Sequence, residues 1–380
     1  MNEKRRLLPA IVAGVMGNTG IYLIPLLVGA MVSDRGFTDQ QAGLVASADL
    51  AGYAVMTFIT AMFLIDRDWK RLALAGISIM FVANLASTVV TAAVPFAAVR
   101  FLSGVGAGIL AAIATVSLGR TDKPDQNYGL LFAACLLFGT AGLWGLPLLL
   151  DRTGLNGAYV FIAVLAVLTG VVSRNLHQAP AASVAETTLP AGKGSLIAAV
   201  LILLAITLFW ANQNALYAYM ERIGNAAGLS AQFIGFTLGL ANLTGFVGAS
   251  LVAWLGTRFG RLLPLLVLTA VQLVCIWTLS GGVTSTTYLV AIGVISLSWN
   301  IVNPIQIGIL AGVDQRGRWL ALSSTVIGVG LALGPALGAA ALGKDGYTSV
   351  LWLVAGLALA STLLALPVLR RLASVEAGTA

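Results

Sequence analysis

Asp49 and Arg100 are the two side chains of this sequence whose chemistry most needs explaining. They are the only ionisable residues well inside the long apolar runs between Leu7 and Leu369. A charge at mid-helix in hydrocarbon costs about 2.5–3.5 kcal/mol even on lenient insertion scales, so such residues mark a pathway or a pairing. Arg100 falls about 8 Å into a helix that begins near Pro95, and Asp49 about 13–14 Å into one that begins near residue 40. Both helices run in the same direction, so the two side chains, offset by about 5 Å in depth, can meet. Burial disfavours an ionised carboxylate and a neighbouring cation favours it. A carboxyl balanced between the two can take a proton on one side of a membrane and release it on the other. Asp49 is therefore read either as half of a structural ion pair or as a proton-coupling group. Arg100 has three readings: a snorkelling side chain, the partner of Asp49, or a cavity-facing guanidinium whose planar fork holds an anion bidentately. Glu221, beside Arg222 at the end of a later run, is a second proton-carrier candidate.

The polar side chains inside the other runs are grouped. Asn18 and Tyr22 are four residues apart, and Trp210, Gln213, Asn214 and Tyr217 share one helical face by their spacing. Trp299, Asn303 and Gln306 fall at i, i+4 and i+7, with Asn300 beside them. Amides offer donors and acceptors and aromatics offer flat apolar area, the mixture of a small-molecule site. Hydrogen bonding between helices is the other use of such amides. Cys135 and Cys275 lie within separate apolar runs, where a thiol acts as a small hydrophobe, and His177 is the only histidine. No metal cluster, nucleophile–base pair, phosphate-binding glycine loop or ring of like charges can be assembled, so an enzyme, a primary pump and a channel are not expected.

These residues must be positioned by membrane spans. Of the 380 residues 59% are hydrophobic and only 9% charged, and the mean hydropathy is +0.96. A soluble chain carries about a quarter charged residues. Apolar runs of spanning length recur near 7–32, 40–64, 72–92, 95–119, 128–150, 156–174, 195–220, 230–255, 262–281, 286–311, 319–343 and 348–369. The expected fold is an all-α polytopic membrane protein of twelve transmembrane helices with both termini cytoplasmic. With the N-terminus inside, 16 of the 21 basic residues fall in inner segments and 4 in outer loops, the bias of the positive-inside rule. The net charge of +7 thus reports topology, and no nucleic-acid partner is expected. The first run is too long for a signal peptide and is read as a retained helix.

One long polar break, residues 175–194, has the Ala, Pro, Ser and Thr composition of a linker. It divides the chain into six-span units, residues 1–174 and 195–380, joined by this cytoplasmic linker. An offset of 191 residues places Arg67 on Arg258 and Gly139 on Gly330, a weak internal repeat.

The basic loops after spans 2 and 8 carry Asp66, Arg67, Lys70 and Arg71, and Arg258, Gly260 and Arg261. Together with Arg100, Gly104 and Gly106 in span 4 and the six-plus-six split, they make the chain similar to the major facilitator superfamily of secondary transporters. Trp69 and Thr257 depart from that family's loop pattern, at a glycine and an acidic position. The resemblance implies two rocking six-helix bundles, a midplane substrate site lined by spans 1, 4, 7 and 10, and a conformational latch of Asp66, Arg67, Lys70, Arg71, Arg258 and Arg261. It implies substrate contacts from Arg100, Asn18, Tyr22, Trp210, Gln213, Asn214, Tyr217, Trp299, Asn300, Asn303 and Gln306. Gly334 and Pro335 are similar to an exporter motif of the family but lie in the other half, which leaves the direction of transport open. Proline kinks at Pro304 and Pro335 are expected bending points. The expectation is a proton-coupled transporter of a small organic anion, aromatic carboxylates included, working as a monomer in the cell inner (plasma) membrane. The proton gradient is its driving force, with no cofactor. Efflux of drugs or hydrophobic compounds and sugar transport are the alternatives within the family. A non-transporting receptor or scaffold is the alternative outside it.

Overall fold

In a computed structural model the structure describes residues 3–64, 67–121, 123–174, 176, 196–255, 260–314, 318–343 and 346–378. The helices are α1 (Glu3–Ser33), α2 (Asp39–Ile59), α3 (Trp69–Val89), α4 (Ala93–Gly119), α5 (Pro124–Ser173), α6 (Leu196–Ala226), α7 (Ala231–Leu255), α8 (Leu262–Ser280), α9 (Ser285–Val313), α10 (Arg318–Ala341) and α11 (Tyr347–Gly378). There is no strand among the described residues, only an isolated bridge between Gly343 and Gly346. Helix is what hydrocarbon demands, because it satisfies every backbone group within the segment.

Among the described residues, eleven helices are long and apolar enough to cross a membrane, where twelve were expected. The difference lies in α5. Its 50 residues would reach about 75 Å if straight, against a hydrocarbon core of about 30 Å. At Gly154 the backbone takes φ 61 and ψ −169, a conformation only glycine adopts without strain. That residue divides α5 into two arms, residues 124–153 and 155–173. The amide of Leu155 donates to Asp34 Oδ2 at 2.8 Å, so a carboxylate just after α1 caps the second arm. The adjacent Arg35 donates to the carbonyls of Val90 (2.9 Å), Ser87 (2.8 Å) and Thr88 (3.1 Å), and to Asn156. A cation is thereby set on the C-terminal carbonyls of α3, where the helix dipole favours it.

Other ends are fixed by local side chains. Thr38 and Gln41 form a reciprocal capping box on α2, and Thr284 and Thr287 do the same for α9. Asp68 accepts from the amides of Lys70 and Arg71 and starts α3. The cap uses the backbone amides of Lys70 and Arg71 and leaves their side chains outside it. Arg67, Lys70 and Arg71 are exposed, and Arg71 reaches Asp68 at 3.6 Å. Trp69, where the family pattern has glycine, is buried under the Arg120 guanidinium at 5.3 Å. Asp66, Arg258 and nearly all of the linker at 175–194 lie outside the described residues. Arg261 lies along Gly308 and Gly312 of α9.

Helices α1 to α5 pack on one another, as do α6 to α11, and the two groups meet through α2 with α10, α5 with α7 and α1 with α6. Small residues set the closest approaches. A methyl group on Gly104 would sit 1.9 Å from the Asp49 carbonyl oxygen, and one on Gly108 2.5 Å from that of Tyr53. The backbones of α2 and α4 are therefore in contact along the stretch that holds Asp49. Gly330, Gly334 and Gly338 similarly seat α10 on α6. Gly104→Ala should lower stability by about 1–3 kcal/mol through this overpacking. Gly145→Ala, which meets open space, should leave it unchanged; thermal unfolding of the detergent-solubilised variants compares the two.

Candidate functional site

Arg100 is held by four helical segments. It projects from α4 and is 3% exposed. Its Nη2 and Nε donate to Asp49 Oδ2 on α2 at 2.6 and 3.1 Å. Nη1 donates to Asn84 Oδ1 on α3 at 3.0 Å, with Ser87 Oγ at 3.5 Å. The second arm of α5 supplies the Tyr159 ring, 4.8 Å below the guanidinium carbon. The expected pairing of Asp49 with Arg100 is present, but the guanidinium is buried, with its edges on Asp49 and Asn84 and one face on Tyr159. This guanidinium does not line the cavity described next, because Asp49, Asn84 and Tyr159 already satisfy it.

The cavity has a volume of about 530 Å³, within the usual range of small-molecule sites. One wall is Asn18, Ile21 and Tyr22 of α1, Tyr53 of α2, and Tyr128, Leu131, Phe132, Cys135 and Leu136 of α5. The other is Trp210, Tyr217 and Met220 of α6, Ala241 and Asn242 of α7, Ile292, Ile295, Ser296, Trp299, Asn300, Asn303 and Pro304 of α9, and Ile327 and Leu331 of α10. No acidic or basic side chain stands among these lining residues. Trp299 makes edge contacts with Trp210 (centroids 5.4 Å apart) and Tyr217 (6.2 Å). Trp210 Nε1 donates to Asn303 Oδ1 at 3.3 Å, Tyr53 Oη to Asn18 Oδ1 at 3.2 Å, and Tyr217 Oη to the Tyr22 carbonyl at 2.8 Å.

Seven of the substrate-contact candidates read from the sequence meet here: Asn18, Tyr22, Trp210, Tyr217, Trp299, Asn300 and Asn303. Gln213, Asn214 and Gln306 do not. Gln213 faces Gln272 of α8, which in turn donates to Asn212 at 3.0 Å. Asn214 bonds back to the Trp210 carbonyl at 2.9 Å, and Gln306 donates to Ser361 of α11 at 2.9 Å. Gln213 and Gln306 thus join helices within one group, while Asn214 is spent on its own helix. Span 4 was expected in the wall, yet α4 contributes no lining residue, while α2, α5, α7 and α10 do. Asn242 and Tyr53 were missed by sequence reasoning. Asn242 has no polar companion at helical spacing, so its signal was a single amide in the apolar stretch of α7; Tyr53 lies four residues from both Asp49 and Thr57, a spacing that pointed to it.

Toward the end of the bundle marked by Asp39, the two helix groups are tied together. Arg222 Nε donates to Asp39 Oδ1 at 2.9 Å and to Tyr347 Oη at 3.2 Å, and Tyr347 Oη donates to the same carboxylate at 2.7 Å. Tyr219 Oη donates to the Asp39 carbonyl at 3.1 Å, and Ser47 donates to the carbonyl of Ala332. Glu221 packs its carboxyl against Gly29 of α1, and its Oε2 is buried without a hydrogen-bond partner. It lies in this junction, away from the cavity wall. On the opposite side, the wall residues Tyr128 and Phe132, near the start of α5, are exposed.

Residues 10–313 match the family model described as Major Facilitator Superfamily. The chain belongs to this superfamily. Among solved structures it is similar to a peptide transporter of the POT family, with 11% identity, a TM-score of 0.78, and 98% of this chain and 99% of that one covered. A D-xylose-proton symporter is similar at 12% identity and a TM-score of 0.74, over 95% and 96% of the two chains. A nucleoside transporter matches at 11% identity and a TM-score of 0.74, over 96% and 99%. At these identities the likeness is one of fold.

This chain places a buried ion pair inside one helix group, and its energetics are testable. Arg100→Met alone should cost about 3–5 kcal/mol by stranding Asp49. The double variant Asp49→Leu with Arg100→Met should recover most of that loss in thermal unfolding. Strictly additive losses would show that the two residues are not coupled.

Proposed function

We propose that this chain is a secondary transporter that moves a small uncharged solute by alternating access in the cell inner (plasma) membrane, driven by the proton gradient. The two moving units are residues 1–174 and 195–380, with the arms of α5 crossing separately and both termini cytoplasmic. One observation carries the reading: a cavity walled by both helix groups, tied shut across the groups at one end by Asp39, Arg222 and Tyr347 and lined at its other end by exposed residues. A site shared between two units, with a breakable junction on one side, is what alternating access needs. Under the positive-inside reading, the tied end is the outer one.

The neutral character of the solute follows from the wall. A substrate anion of the kind expected from the sequence requires a cation in the site, and Arg100 is spent on Asp49. Leaving an anion unpaired in such a wall is costly. Aromatic rings and amides favour an uncharged, ring-bearing solute instead. Sugar-like solutes and hydrophobic compounds share that neutrality; the paired tryptophans favour a flat body over a polyol. Asp49 remains our coupling group. One of its oxygens takes both Arg100 bonds, and the residue keeps 17% exposure.

Two experiments test this. In proteoliposomes with an imposed pH gradient, Asp49→Asn should abolish accumulation while sparing counterflow exchange; retained accumulation would remove Asp49 from coupling. Arg222→Gln should loosen the junction and shift the population toward the alternate state. A cysteine at the fully buried Ala42, in a Cys135→Ser, Cys275→Ser background, should then react several-fold faster with an impermeant maleimide. An unchanged rate would mean that the junction does not gate.

A further inference from the structure

We infer that one turn of α9 sets the specificity of the cavity: Asn300 and Asn303 select an uncharged planar solute whose edge carries an N–H beside a carbonyl, as a carboxamide or a lactam does. This substrate class deepens the neutral-solute reading above and rests on it. Trp299, Asn300, Asn303 and Pro304 all line the cavity, the first three half-buried and Pro304 exposed, and they lie near the middle of the 29-residue helix.

The polarity of each amide is fixed by the partner it already has. Trp210 Nε1 reaches the Asn303 side chain at 3.3 Å. An indole N–H only donates, so it meets Oδ1, and the free end of that amide is the donor Nδ2. The Asn300 side chain reaches the Ser296 carbonyl at 3.0 Å. A carbonyl only accepts, so it meets Nδ2, and the free end is the acceptor Oδ1. Among the described residues neither free end has a hydrogen-bond partner, and neither is sealed from solvent. Asn242, by contrast, keeps its Nδ2 fully buried against Gly139.

Three residues apart, the two side chains share one side of α9. The turn thus presents an acceptor beside a donor. Pro304 adds to the acceptor end, because it has no N–H to give the Asn300 carbonyl four residues back. Backbone freed in this way at membrane depth is tolerated where it lines a cavity. The complement of such a turn is a donor beside an acceptor, which a carboxamide or lactam edge supplies. A ketone answers Asn303 and leaves Asn300 unmet, and a carboxylate sets a charged oxygen against the Asn300 acceptor. A polyol can meet both amides but brings no flat face to Trp299, which stands in edge contact with Trp210 and Tyr217.

The test is isothermal titration calorimetry on the full-length protein in detergent. The probes are benzamide (a planar carboxamide), acetophenone (its ketone analogue), benzoate (a planar anion), benzamidine (a planar cation with donors only) and D-xylose (a polyol). The unaltered protein should bind benzamide about tenfold tighter than acetophenone. Asn300→Leu should erase that preference. Asn303→Asp keeps an acceptor for Trp210 and turns the free donor into a second acceptor, so its preference should move from benzamide to benzamidine. Amides with a merely structural role would change all affinities together and leave these preferences in place. Equal binding of benzamide and acetophenone by the unaltered protein would overturn the role of the α9 turn. So would an undiminished preference in Asn300→Leu, or an Asn303→Asp variant that still favours benzamide. Each variant decides by itself, so if one shows no melting transition the other settles the matter. Binding of D-xylose alone, or of none of the five, would overturn the carboxamide class and leave the neutral-solute reading standing. Tightest binding of benzoate or benzamidine by the unaltered protein would overturn the neutral-solute reading itself.

Discussion

The guanidinium of Arg100 is the fixed point around which the first five helices are arranged. Within hydrocarbon its charge has no alternative to protein partners. Its hydrogen bonds and ring contact therefore dictate where α2, α3 and the second arm of α5 stand relative to α4. Gly104 and Gly108 let α2 come close enough for Asp49 to reach it. Among the described residues, the second group of helices shows no buried ion pair of this kind. Its buried contacts include neutral ones: Gln272 with Gln213 and Asn212, Gln306 with Ser361, and Thr269 with Thr362 at 2.8 Å. One group is keyed by charge and the other by amides and hydroxyls. The cavity lies where the two keyings stop and the groups face each other.

The Asp49–Arg100 pair was legible because two lone charges at similar depth in hydrocarbon have few alternatives to each other. The candidate site was legible where polar residues were also aromatic. Trp210, Tyr217 and Trp299 do reach the cavity. Gln213, Asn214 and Gln306 share helices with them, but an amide serves an interhelical bond as well as a ligand, and spacing alone does not separate the two uses. Asn242 escaped notice for the complementary reason, being single on its span. The placement of Arg100 also shows the limit of depth arguments: depth fixed its partner, while its azimuth around α4 was set by Asn84 and Tyr159, far away in sequence.

The count of spans turned on one backbone angle. Hydropathy divided the chain near residue 150, yet the helix runs on to Gly154, whose positive φ permits a reversal without the polar loop that usually marks one. Asp34 takes the exposed amide of Leu155 and Arg35 bonds the Asn156 side chain beside it, so the break carries no Pro- or Ser-rich signature of its own. The turn is specified across the fold, by the segment after α1, more than within its own few residues.

The absence of acidic and basic side chains from the described cavity wall has an electrical consequence. A transmembrane potential does work of about 2.3 kcal/mol per elementary charge per 100 mV. Asp49 and Arg100 form a pair of opposite charges that travels as a unit within one helix group, so its displacement carries no net charge. An empty cavity with this lining can therefore reorient without feeling the voltage. The potential would then act only on the ion carried alongside the solute, and the voltage dependence of the whole cycle would count the protons moved in each turn.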